Sequence, residues 1–140
     1  SVLFLKFEIK ITMPIKFNAI QRKNPLDKTK SGLFYAQMVS DGAVDFEELV
    51  QIVSQKTKLS EVDCIRALLH FEETILEKLS DGKIVRFNKL GNFQVSISSE
   101  GCDTEKKITT SKIGKEKVNF RAGKKLKAML SELTYEKVKK

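Results

Sequence analysis

Two different hydrophobic periods divide most of the chain. In residues 45–80, apolar side chains recur every three or four positions, which is typical of amphipathic helices. Asp45 and Glu48 have the spacing of a capping box, so a first helix of about 13 residues is predicted to begin there. Ser60 is the expected start of a second helix of about 20 residues. Gly82 follows it in position for a left-handed C-cap.

From residue 84 onwards the hydrophobic period changes to two. Residues 84–98 read as two short strands around the turn Asn88-Lys89-Leu90-Gly91-Asn92. Residues 99–112 are polar with almost no core-forming side chain, and strand character returns in residues 113–120. Leucines and a methionine at helical spacing then predict a third helix within residues 123–133. This part of the chain is therefore expected to be a sheet with a polar arm and a short final helix.

Residues 13–43 are expected to form a β-rich basic extension. Residues 15–19 and 34–38 alternate apolar and polar positions, and the segment between them is long and basic with Pro25 and Gly32 as breakers. A hairpin with a long basic loop is the predicted structure. Residues 1–12 precede Met13, a plausible natural start, and are taken as an extension added by cloning or gene prediction. Residues 134–140 have the composition of a basic tail.

The net charge of +8 is unevenly distributed. Residues 44–80 contain eight acidic and four basic side chains, a net charge of −4, whereas the segments before and after them are all net positive. Residues 121–140 alone contain seven basic and two acidic side chains, a net charge of +5. A polyanion would be attracted to the flanking segments and repelled from the middle of the chain.

The sequence contains few residues of the kinds that form enzymatic or metal sites. Cys64 and Cys102 lie far apart without metal-ligand spacing, and His70 is the only histidine. No nucleophile–base pair or ligand cluster can be assembled, so the sequence predicts neither an enzyme nor a metal or cofactor site. No run of about 20 apolar residues suggests a membrane span.

The order of the predicted elements, together with two short motifs, resembles the HU / integration-host-factor family of bacterial histone-like proteins. The matching stretches are DFEELVQIVSQKTKLS, EVDCIRALLHFEETILEKLSDGK, VRFNKLGNFQV and VNFRAGKKLK, which together cover about residues 44–133. The most specific pieces are Leu90-Gly91-Asn92-Phe93 and Phe120-Arg121-Ala122-Gly123-Lys124. The extension is similar to that of a longer subgroup of HU-like proteins.

The resemblance implies an α+β fold: an HU-like intertwined dimer with a helix pair beneath a β saddle, a protruding β arm at about residues 99–112 and a short C-terminal helix. It also implies sequence-tolerant binding of double-stranded DNA on the bacterial nucleoid, in the cytoplasm, by a homodimer or a heterodimer with a paralogue, without a membrane or a small-molecule substrate. The candidate DNA-binding residues are Arg86, Lys89, Lys106, Lys107, Ile108, Lys112, Lys115, Lys117, Arg121, Lys124, Lys125 and Lys127.

The arm departs from the family pattern in two ways. Family arms usually have a proline at the tip that enters between base pairs, and this arm has none, which leaves Ile108 as the substitute. Ser96 and Ser98 occupy the arm strand where the family tends to place arginines. These departures keep two alternatives open, a dimeric protein-interaction module and an RNA binder, each with reduced DNA bending.

The loop of the extension contains Arg22, Lys23, Asn24 and Pro25, which resemble the arginine-asparagine-proline tip that the arm lacks. A simple turn also accounts for these residues, because Asn-Pro commonly initiates one, and we favour that interpretation. The four residues are kept as candidate DNA-binding residues of the extension.

Overall fold

The computed structural model describes residues 13–138. The expectations for residues 1–12, and for the last two residues of the predicted tail, lie outside the described residues. The chain divides into two compact units, one formed by Asp45–Lys127 and the other by the segments on either side of it. The strands are β1 (Ile15–Arg22), β2 (Leu33–Met38), β3 (Val85–Arg86), β4 (Gly91–Ser99), β5 (Ile113–Ala122) and β6 (Tyr135–Lys137), and the helices are α1 (Phe46–Thr57), α2 (Glu61–Ser80) and α3 (Lys124–Ser131).

The unit formed by the flanking segments contains a three-stranded sheet in the order β2-β1-β6. β1 and β2 form an antiparallel hairpin in which Phe17 lies opposite Met38 and Arg22 opposite Leu33, so the two strands predicted for the extension are confirmed. β6 pairs in parallel with the start of β1, from Ile15 opposite Tyr135. The composition of residues 134–140 predicted a tail and did not indicate this strand.

Both helices begin at the predicted caps, and α2 ends at the predicted Gly82. The Asp45 carboxylate accepts a hydrogen bond from the Glu48 amide at 2.9 Å, and the Ser60 hydroxyl accepts one from the Asp63 amide at 3.1 Å. After α2, the backbone turns at Gly82, whose φ of 78° is left-handed. The Gly82 amide bonds to Leu79 and the next amide to Lys78, which is the pairing of a Schellman motif. Local capping therefore explains where these helices lie.

The second sheet has the order β3-β4-β5, with both pairings antiparallel. Four phenylalanines connect it to α2 through successive ring contacts. The ring centroids are 5.7 Å apart for Phe71 and Phe87, 5.4 Å for Phe87 and Phe93, and 4.9 Å for Phe93 and Phe120. Edge-to-face and tilted rings at these separations pack favourably. They hold one face of the sheet against α2 and leave the other face to solvent.

Few side chains of residues 13–138 are fully buried. Among the hydrophobic side chains of the described residues, only Val50 and Cys64 are buried, with exposed fractions of 2% and 3%. Cys64 is a free thiol and packs as a small hydrophobic side chain. Val95, Ile97 and Val118 lie beyond the phenylalanines along β4 and β5 and remain 37%, 57% and 57% exposed. In a single copy, many large apolar side chains of the described residues therefore remain exposed.

Candidate nucleic-acid interface

The two motifs that carry the family resemblance lie side by side in the second sheet. Gly91 pairs with Ala122 and Phe93 with Phe120, and the Gly123 amide donates to the Leu90 carbonyl at 2.8 Å. Gly91 has a φ of 139°, and a Cβ at this position would collide with the backbone of Arg121. A side chain at position 91 would force the two segments apart. The motifs are thus two halves of one backbone junction that places Arg121 and the start of α3.

The polar face of the second sheet is the surface that this junction supports. Directly opposed residues in neighbouring strands share a face. Asn92 lies opposite both Arg86 and Arg121, Gln94 lies opposite Asn119, and Ser96 lies opposite Lys117. Because side chains alternate along each strand, these residues project away from the phenylalanine face. We call the set Arg86, Asn92, Gln94, Ser96, Lys117, Asn119 and Arg121 the polar sheet face.

The chemistry of the polar sheet face suits an anion. Five of its members line a shallow depression of about 480 Å³: Arg86, Asn92, Gln94, Asn119 and Arg121. Both arginines are exposed, so their guanidinium groups are available to phosphate oxygens. The arginines and Lys117 were predicted from the sequence, but the three amide side chains were not. The period-two alternation of residues 92–98 could have placed Asn92 and Gln94 on this face, but Asn119 needed the register with β5.

The start of α3 provides a second group of cations in the same unit. Lys124, Lys125 and Lys127 are exposed, and the Gly123 carbonyl accepts the Lys127 amide at 2.9 Å as the helix begins. Gly123 has no side chain that could cap the first amides, and a helix start with open amides favours an anion. Lys89, in the turn between β3 and β4, is partly exposed.

The predicted arm is the distal end of the β4–β5 hairpin. β4 and β5 last pair at Ser99 and Ile113, and the connection between them contains short 3₁₀ turns at Glu105–Lys107 and Thr110–Lys112. A β-bulge interrupts the hairpin just before this connection, where Lys115 has a left-handed φ of 51° and Ser98 lies opposite Gly114. The bulge was not expected from the sequence.

The basic residues of the arm are not equivalent. Lys106, Lys112 and Lys115 are exposed, whereas the Lys107 ammonium lies 2.6 Å from the Asp103 carboxylate. That ion pair offsets part of the charge that Lys107 could offer to a phosphate. Ile108 is 46% exposed and stands outside any core. The structure therefore brings Arg86, Lys117 and Arg121 onto one face but leaves the arm residues along a separate extension of the hairpin.

The remaining candidates lie in the other unit. Arg22 ends β1, and Lys23, Asn24 and Pro25 follow it in the loop between β1 and β2. The Arg22 guanidinium lies 5.2 Å from the centre of the Tyr35 ring, which is a cation–π contact.

Other classes of site find little support in the part of the chain that the structure describes. No group of three or more His, Cys, Asp or Glu side chains is arranged to hold a metal ion among residues 13–138. Within the same range, no helix combines the length and hydropathy needed to cross a membrane.

Comparison with known proteins gives a family match and a structural match. Residues 13–137 match the model of the HU-HIG family, described as an HU domain fused to a winged helix-turn-helix, immunoglobulin or glycine-rich motif. The fold is similar to the crystal structure of a proposed bacterial DNA-binding protein from Bacteroides vulgatus ATCC 8482, with a TM-score of 0.64 and 14% sequence identity. That alignment covers 91% of this chain and 49% of the other protein, so this chain spans about half of its length. No curated protein matches the chain in sequence.

Proposed function

The chain belongs to the HU-HIG family of HU domains fused to other modules, and on that premise we propose that it binds double-stranded DNA with little sequence preference, as a histone-like architectural protein of the bacterial nucleoid. The observation that carries the proposal is the polar sheet face. It places Arg86 and Arg121 on either side of Asn92, in the same unit as the cations of α3.

The predicted mode of binding is contact with the phosphate backbone. The guanidinium groups of Arg86 and Arg121 donate to phosphate oxygens, and the amide side chains between them can donate to sugar or phosphate oxygens. Lys124, Lys125 and Lys127 extend the contact along the next stretch of backbone. Such contacts fix the position of a duplex but carry no sequence information, which accounts for the proposed tolerance of sequence.

In this proposal the arms hold the duplex beyond the polar sheet face. Lys106, Lys112 and Lys115 contact phosphates, and Lys107 contributes less because Asp103 already pairs with it. Ile108 is the apolar side chain that an arm could place in the minor groove. Because the arm has no proline at its tip and carries Asp103 and Glu105 there, we expect the arms to grip DNA more than they bend it.

We further propose that the working form is a homodimer. A heterodimer with a paralogue is the alternative. The support is the small number of fully buried hydrophobic side chains among the described residues. Leu49, Leu69, Phe71, Val118 and Phe120 all remain between 44% and 57% exposed in the helix-and-sheet unit. A second copy of the same unit offers the matching apolar surface that would cover them. The proposal needs no cofactor, metal, membrane or small-molecule substrate, and assigns no catalysis.

A competition experiment tests this function against its alternatives. Labelled duplex DNA of arbitrary sequence is bound to the full chain and displaced by unlabelled duplex DNA, single-stranded DNA or duplex RNA. We expect duplex DNA of any sequence to displace the label best. Preferential displacement by RNA would mean that the chain is an RNA binder. A failure to bind any of the nucleic acids would favour a protein-interaction module.

A further inference from the structure

The loop between β1 and β2 is a second concentration of positive charge, in the unit that does not contain the polar sheet face. Residues 22–32 include four basic side chains, Arg22, Lys23, Lys28 and Lys30, and one acidic side chain, Asp27. All four cations are exposed, and the Lys30 ammonium lies 3.9 Å from the Asp27 carboxylate, which offsets part of its charge. Arg22, Lys23, Lys30 and Tyr35 border a depression of about 530 Å³. A net charge of +3 over eleven residues is far above the average for the chain.

Hydrogen bonds give this loop a defined shape. The side-chain oxygen of Asn24 accepts a hydrogen bond from the Leu26 amide at 3.0 Å, and the main-chain carbonyl of Asn24 accepts one from the Asp27 amide at 3.3 Å. The Asp27 carboxylate accepts the Thr29 amide at 3.0 Å, and the hydrogen bonds from Thr29, the hydroxyl first, lower the pKa of Asp27. Successive Asx turns of this kind reduce the entropy that the loop would lose on binding.

The turn at Asn24 presents a bare apolar side chain. Leu26 is 94% exposed, the largest exposed fraction among the large hydrophobic side chains of the described residues. It follows the exposed Pro25, and lysines lie on both sides of it in the chain. By comparison, Ile108 in the arm is 46% exposed, with an acid-containing segment beside it. The loop therefore combines a protruding apolar group with flanking cations.

We propose that this loop is a second DNA-binding element, in which Lys23, Lys28 and Lys30 contact phosphates and Leu26 enters the minor groove between base pairs. Leucine is among the side chains that proteins insert between base steps to bend a duplex. An anionic membrane surface would share part of this chemistry, cations around an apolar group. The choice of DNA rests on the function proposed above.

The charge component is tested with a triple variant of the full chain, Lys23→Gln, Lys28→Gln and Lys30→Gln. The matched control is Lys56→Gln, Lys58→Gln and Lys78→Gln, which removes the same charge from the helix pair. Duplex affinity is measured between 50 and 200 mM salt. We expect the log–log slope of the loop variant to become shallower by about 0.9 for each phosphate that it no longer neutralises. A slope that stays equal to that of the control would overturn the proposal.

The apolar component is tested by energy transfer between dyes at the two ends of a short duplex. We expect binding to bring the ends together and Leu26→Ala to abolish most of that approach, whereas Ile108→Ala leaves it largely intact. If Ile108→Ala alone abolishes the approach of the duplex ends, or if the unaltered chain does not bring the ends together, the proposal that Leu26 enters the groove is wrong.

Two further results separate the possible failures. If the unaltered chain does not bind duplex DNA at all, the proposed function fails as well. If it binds, but the loop variants behave like the unaltered chain, only the second element is wrong. Flotation with phosphatidylglycerol vesicles provides the remaining test. Vesicle binding that the triple loop variant abolishes, while its DNA binding is unchanged, would assign the loop to membranes and overturn the DNA proposal.

Discussion

At the scale of single residues, the position of a charge decides its expected effect. Arg86 and Arg121 lie opposite Asn92 on one open sheet face, whereas Glu72, Glu73 and Glu77 lie on the exposed surface of α2. Both sets are solvated, so their contribution to folding stability is small. We expect their contributions to binding a polyanion to differ, because only the arginines share a surface with other donors.

This difference predicts the outcome of two charge variants. Replacing Arg86 and Arg121 by Gln should weaken binding to all duplex sequences about equally and make the salt dependence shallower by about 0.9 for each phosphate left without its arginine. Replacing Glu72, Glu73 and Glu77 by Gln should change affinity little. Fluorescence anisotropy with two unrelated duplexes measures both. Equal effects from the two sets would mean that net charge, and not this surface, governs binding.

At the scale of elements, the features that depend on neighbouring residues were predictable, and those that depend on distant pairing were not. The starts of α1 and α2 followed from Asp45 and Ser60, whose side chains cap amides three residues away. β6 is only three residues long and owes its existence to the edge of β1, more than 110 residues earlier in the chain. A strand that short has no hydrophobic period of its own.

The same distinction applies to the candidate site. The cations of the site were readable from composition, but which of them share a face depends on the register of β4 and β5. The bulge at Lys115 shifts that register. Its left-handed position is occupied by a lysine and not by a glycine, so the sequence does not indicate the bulge. The pairing of Lys107 with Asp103 was equally hidden, because it requires the 3₁₀ turn that brings residues four apart together.

At the scale of the whole molecule, the exposure of apolar surface makes a second copy the central expectation. Only Val50 and Cys64 are buried among the described hydrophobic side chains, which is a small core for a domain of this size. If the proposed dimer is the working form, folding and association are one process, and the free energy of unfolding depends on concentration.

We therefore predict that the midpoint of thermal or urea unfolding rises with protein concentration. A hundredfold increase should add about 2.8 kcal/mol to the apparent free energy of unfolding of a dimer. Unfolding followed by circular dichroism at protein concentrations of about 0.5 and about 50 μM would detect the change. A compact monomer in sedimentation velocity at micromolar concentration would contradict the prediction.

The most direct test of the account is the salt dependence of duplex DNA binding by the unaltered chain. If phosphate contacts from the polar sheet face, α3 and the arms carry the affinity, the log–log slope should be steep, about −4 or beyond, and alike for two unrelated sequences. An affinity that stays flat between 50 and 200 mM salt would contradict binding through the phosphate backbone and, with it, the proposed function.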